Sequence, residues 1–147
     1  MTLSIDQAVC NSFKSQLLDG DHDFSAAGGD VFKLALYQSN AVLNATTTVF
    51  TSTNEVTGTG GTYSAGGGVL QGQTVSLDTA TGIVTFSDLS FTGVTLSALG
   101  AVIYNTSFGS NAAVCVLDFG AVKTATSGTF TILFPAFTAA AAILRIA

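Results

Sequence analysis

The sequence predicts a mainly β protein, an antiparallel β-sandwich or jelly-roll-like barrel with one N-terminal amphipathic helix. Three observations predict it. Apolar residues alternate with polar ones in about eight short segments. Thr and β-branched residues, which suit a pleated surface, dominate those segments. Clusters of Gly, Asn, Asp and Ser separate the segments at even spacing, as in sandwiches and barrels. A chain of 147 residues is long enough for one hydrophobic core and fits a single β-sandwich domain over 1–147.

The first element is the helix, predicted over residues 5–18. Ser4 followed by Gln7 has the spacing of a capping box, Ile5, Val9, Phe13 and Leu17 recur every fourth position on one face, and Gly20 supplies a left-handed stop. The period then changes to two. In Val31 to Ser39, Phe32, Leu34 and Leu36 share one face and Lys33, Ala35 and Tyr37 the other. The same alternation marks Thr47 to Thr53, Gln73 to Leu77, Ile83 to Phe86, Phe91 to Leu96, Ala98 to Tyr104, Ala113 to Phe119 and Thr129 to Phe134. Turns are expected at Ser39-Asn40, Asp78 to Gly82, Asn105 to Asn111 and Ser127-Gly128. Residues 57–72 contain GTGGTYSAGGG and few large side chains, which predicts a glycine-rich loop, flexible or ordered by a partner.

Charge is scarce. Four Lys and Arg and nine Asp and Glu make up 9% of the chain, against roughly 25% in ordinary soluble domains. With Lys14, Lys33, Lys123 and Arg145 as the only strong bases and a net charge of −5, there is no basic stripe to neutralise phosphates, so nucleic acid is excluded as an expected partner. The apolar fraction of 48% is too high for a disordered chain. The apolar stretch TFTILFPAFTAAAAILRIA, 129–147, approaches the length of a membrane span. Its strand-like alternation, Pro135 and Arg145 predict two strands and a turn instead, and no membrane partner. The opening MTLSIDQAVC has Asp6 and no basic run, which predicts no secretory signal and a reducing cytoplasm. Cys10 and Cys115 lack paired metal or redox spacing and read as two buried free thiols.

No catalytic, cofactor-binding or metal-binding set is expected. Asp19, Asp21 and Asp23 alternate like the start of a calcium loop, but Phe24 and Asp30 stand where Gly and Glu are required, so the segment reads as a solvated acidic turn. His22, the single histidine, reads as a surface residue whose neighbouring carboxylates favour its charged form. The glycines at 58–61 and 66–68 have no following helix and no nearby Lys, which removes a phosphate-loop reading. Tyr37, Tyr63 and Tyr104 read as strand-end residues with hydroxyls in water, with a sugar-binding face as the alternative.

FKLALY at Phe32 to Tyr37, NEVTGTGGTYSAGGGVL at Asn54 to Leu70, GAVIYN at Gly100 to Asn105, AVCVLDFG at Ala113 to Gly120, and the closing GTFTILFPA and ILRIA resemble small β-rich structural proteins of tailed-bacteriophage virions. The resemblance spans nearly the whole chain and brings no catalytic motif or cofactor. It implies a virion component assembled in the bacterial host cytoplasm. A capsid decoration or cement protein is the first expectation, with the major capsid protein or other virion proteins as partners and a homo-oligomer, a trimer by preference. A tail, baseplate or fibre subunit, or a carbohydrate-binding host-recognition module, is the alternative. The subunit contacts expected on this reading are Ile5, Val9, Phe13 and Leu17 on the helix and Tyr63 and Val69 in the loop.

Overall fold

The structure, a computed structural model, describes residues 4–58 and 60–147. Met1 to Leu3 of the N-terminal segment and Thr59 of the glycine-rich loop lie outside the described residues. Among the described residues the protein is mainly β, with two antiparallel sheets, neither closed on itself, and one short helix.

Its elements in chain order are β1 (Ala8–Val9), α1 (Asn11–Leu18), β2 (Phe32–Tyr37), β3 (Gly68–Val69), β4 (Thr74–Asp78), β5 (Thr81–Thr85), β6 (Leu89–Asn105), β7 (Ala112–Ile132) and β8 (Leu144–Ile146). The larger sheet has the order β1-β7-β6-β2-β3 and the smaller one β4-β5-β8. Its centre is β6, paired with β2 from Phe32↔Asn105 to Tyr37↔Gly100 and with β7 from Asn105↔Ala112 to Leu89↔Ile132.

The helix is shorter than its pattern predicts. Residues 11–18 are helical, with Cys10 as an extended N-cap that makes no side-chain cap bond. Ile5 instead bridges Leu43, and Ala8 and Val9 pair with Val116 and Cys115 of β7. The expected capping box does not form, because Gln7 Oε1 accepts the backbone N–H of Asp118 at 3.2 Å. Backbone pairing with a long strand outweighs nearly two further helical turns, since local propensity is a weak prior against tertiary contact. The C-terminal stop is as predicted. Gly20 has φ +83°, its N–H donates to Leu17 O, and Asp21 N–H donates to Gln16 O, the two bonds of a Schellman motif.

Two expected strand pairs are single strands. Phe91 to Leu96 and Ala98 to Tyr104 fuse into β6, and Ala113 to Phe119 and Thr129 to Phe134 fuse into β7. Ser127-Gly128 is therefore no turn but a bulge, with Ser127 at φ +44° and a register shift opposite Val94. A second shift between Ala98↔Lys123 and Gly100↔Asp118 leaves residues 119–122 of β7 as an insertion. The segment Thr47 to Thr53 forms no strand and contributes one bridge, Val49↔Ala112. In 129–147 the end of β7 and β8 flank an irregular connection, and among the described residues no helix is long and apolar enough to cross a membrane.

The core lies on the β2–β6–β7 part of the sheet. Leu34, Leu36, Ile103, Val114 and Val116 are fully buried, and Phe24 stacks on Phe32 with ring centroids 4.4 Å apart. Cys10 and Cys115 are buried free thiols, and burial pushes the Cys10 thiol up to about 11.

Candidate assembly surface and the buried polar networks

The glycine-rich segment is fitted against the chain's own sheet, contrary to the expectation of a loop that is flexible or ordered by a partner. Tyr63 and Leu70 are buried, and β3 within it pairs with Lys33 and Leu34 of β2. Its anchor is Glu55, just 7% exposed, whose Oε1 accepts the Tyr63 hydroxyl at 2.8 Å and the Gly66 N–H at 2.6 Å. The Tyr63 hydroxyl in turn accepts Leu36 N–H, and the Tyr104 hydroxyl donates to Gly66 O. Gly67 sits at φ +81°, where a Cβ would overlap the Leu34 carbonyl. Small residues here serve close backbone approach, and the sequence signal for it was present in the run of three glycines.

Tyr37 ends β2 and Tyr104 stands one residue from the end of β6, as expected, but all three tyrosines are buried, so their hydroxyls do not lie in water. Tyr37 donates to Thr51 O at 2.6 Å, and Tyr63 packs edge-on against Phe91. Desolvation raises the pKa of each above the ordinary phenol value, so all three remain protonated donors. No sugar-stacking platform is left by them at the surface.

His22 is likewise buried rather than on the surface. Its ring packs among Phe13, Phe32 and Phe108. Asn105, fully buried, donates through Nδ2 to His22 Nδ1 at 3.0 Å and to Asp30 Oδ2 at 2.7 Å, while its Oδ1 accepts Ser107 N–H. Acceptance at Nδ1 assigns the proton to Nε2, which donates to Gln16 Oε1 at 3.0 Å. Desolvation lowers the His22 pKa against the opposing pull of Asp30 and Asp21, the reverse of the charged form expected from the sequence. Both ring nitrogens are engaged, so the imidazole offers no free base to a substrate. In the acidic turn, Asp23 Oδ1 accepts Ser25 N–H, and Asp30 Oδ2 accepts Asp23 N–H. Hydrogen bonding from Ser25, by its side chain first and its backbone N–H second, lowers the Asp23 pKa. Among the described residues no group of three or more His, Cys, Asp or Glu is placed to hold a metal ion.

The expected subunit contacts divide by burial. Ile5, Phe13 and Tyr63 belong to the protomer's own core, Val9 and Leu17 are half-buried, and Val69 is exposed. Within the protomer Ile5 bridges Leu43, and Phe13 packs against His22 and Phe24.

The uncovered apolar surface lies elsewhere, and sequence periodicity did not single it out. Directly paired residues in an antiparallel sheet share a face. Val75, Val84 and Leu144 therefore form one rung of the small sheet, and Leu77, Gly82 and Ile146 the next. Val84 and Leu144 pack toward the core, whereas Val75, Leu77 and Ile146 are 57%, 70% and 62% exposed. A groove of about 920 Å³ runs between this sheet and α1, with Phe13, Leu17 and Leu18 on the helix side and Val84, Leu144 and Ile146 on the other. Leu18 stands at its mouth 90% exposed. The second exposed face, the far part of the β6–β7 ribbon, is covered with hydroxyls. Ser90 pairs with Thr131 and Ser97 with Thr124, each at 2.9 Å between oxygens.

Comparison of the chain with protein-family models, with curated proteins and with solved structures finds no match.

Proposed function

We propose that this protein is a non-enzymatic structural subunit of a tailed-bacteriophage virion, a capsid decoration or cement protein that binds and stabilises the head shell. The observation that carries the reading is the uncovered apolar patch of Val75, Leu77 and Ile146, continuous with the groove beside Leu18, on a chain with so few charges. Contiguous apolar surface of this kind marks interaction sites in proteins that do not aggregate. The hydroxyl-rich ribbon supplies a second uncharged face suited to lattice contacts. Both support the resemblance of FKLALY, GAVIYN and AVCVLDFG to virion proteins. On this reading the two sheets are the layers of a sandwich, and the partners are the major capsid protein and further copies of the chain. Many weak repeated contacts on a shell hold through avidity.

The test is fractionation of particles from the phage encoding the chain, with an antibody to the protein. Labelling of DNA-filled heads at many copies per particle is the expected result. Labelling confined to tails assigns it to a tail or baseplate subunit, and absence from purified particles overturns the virion role.

A further inference from the structure

We propose that β4 is a self-pairing edge, through which two copies of this chain join their small sheets by antiparallel strand addition about a two-fold axis at Ser76. The inference deepens the reading of the protein as an assembling subunit and names its partner at this edge, a second copy.

Proteins blunt sheet edges by making them short, bulged, charged or covered, because a bare edge is a template for another strand. Among the described residues the terminal strands β1 and β3 are two residues long and β8 is three. The part of β7 that runs beyond β1 is broken by the insertion at 119–122 and the bulge at Ser127, and carries Lys123. The outer side of β6 is covered where Thr62 N–H donates to Thr92 O and Thr92 N–H donates to the Thr62 hydroxyl. Of these devices β4 has only a charge at its last residue, Asp78, whose Oδ2 accepts Ala139 N–H at 2.6 Å. The strand is five residues long, in unbroken register with β5, without Pro or Lys, and Thr74 to Leu77 are all exposed.

The sequence of β4, TVSLD, is compatible with itself in one register. Centred on Ser76, antiparallel pairing sets Val75 against the partner's Leu77 on the apolar face and Thr74 against the partner's Asp78. The two carboxylates then lie at opposite ends, each facing a hydroxyl, and no like charges meet. Moving the centre by one residue sets Leu77 against the partner's Gln73, or Val75 against the partner's Thr79, and loses half the apolar pairing. The contact is isologous, as a closed dimer requires. Five-residue strands bury less than about 1,000 Å², so the dimer is weak, with a Kd on the order of tens of micromolar. Such an edge is silent in dilute solution and effective at the local concentration of an assembled shell.

Purified protein alone tests this, so its outcome is independent of particle labelling. Sedimentation velocity from micromolar to millimolar concentration should show a monomer–dimer equilibrium. Leu77→Lys should weaken dimerisation about a hundredfold, with unchanged circular dichroism and melting. In a register check that leaves the apolar row intact, Ser76→Cys should oxidise to a covalent dimer. The opposed Cα atoms lie about 5 Å apart, within disulfide range. Thr74→Cys should not cross-link, because the equivalent atoms lie about 13 Å apart along the strand. Any of four results overturns the proposal: a monomer at every concentration, a trimer, a dimer indifferent to Leu77→Lys, or equal cross-linking at 74 and 76.

Discussion

Glu55 holds two donors on a single oxygen, and that is what pins the glycine-rich segment to β2. Glu55→Ala leaves the Tyr63 hydroxyl and Gly66 N–H without their acceptor and should cost about 2–3 kcal/mol in urea unfolding. Glu55→Gln keeps an acceptor and should lose less than half of that. His22 gives a pH signature of definite sign. In the unfolded chain its imidazole titrates near 6.5, and in the fold desolvation holds it lower. Between the two values the unfolded chain takes up the proton first, so stability is level above 6.5 and falls as pH drops below it. Unfolding free energies measured on either side of that value should show the slope in the native protein and a flattened one in His22→Gln. Neither network was legible in the sequence. The partners of Glu55 lie at 63 and 66, and those of His22 at 16 and 105, so fold geometry rather than spacing brings them together.

Elements were legible where period and punctuation agree. FKLALY, TVSLD and TGIVT become β2, β4 and β5, and Asp78↔Thr81 leaves the two-residue turn that the polar cluster there announces. The pattern misled where one local feature serves two ends. Ser127-Gly128 has the chemistry of a turn, but positive φ also makes a bulge, and only the length of β6 opposite it decides which forms. Residues 5–10 of the predicted helix are not helical, because Ile5 bridges Leu43 and residues 8 and 9 are claimed by β7. For the glycine-rich segment, Gly67→Ala should destabilise by about 3 kcal/mol or more, since left-handed φ and overlap with the Leu34 carbonyl act together. Thermal melts of Gly67→Ala beside Gly109→Ala separate the two effects, because Gly109 has the same sign of φ and nothing near its missing Cβ.

At the scale of the whole molecule, the scarcity of charge was plain from composition, but the surface it serves was not. The helix stripe looked like the exposed interface because its periodicity is strong, whereas Val75, Leu77 and Ile146 acquire a common face through strand register alone. Association through such a face should be insensitive to ionic strength, because screening acts on charges and the β4 contact opposes none. Sedimentation profiles at low and at molar salt should superimpose, and dissociation in moderate salt would show that charge holds the copies together. Sheet order carries one more consequence, for the time course of folding. β1 completes its pairing with residues 115 and 116, and β5 meets its second neighbour at residues 144–146. Both sheets are thus completed by contacts distant in sequence, which makes folding slow. Until β8 arrives, β5 stands bare along one side, and a newly made chain passes through a stage with more sticky strand than the finished one. Fast synthesis at high temperature should therefore divert this protein into inclusion bodies more readily than its native stability alone suggests.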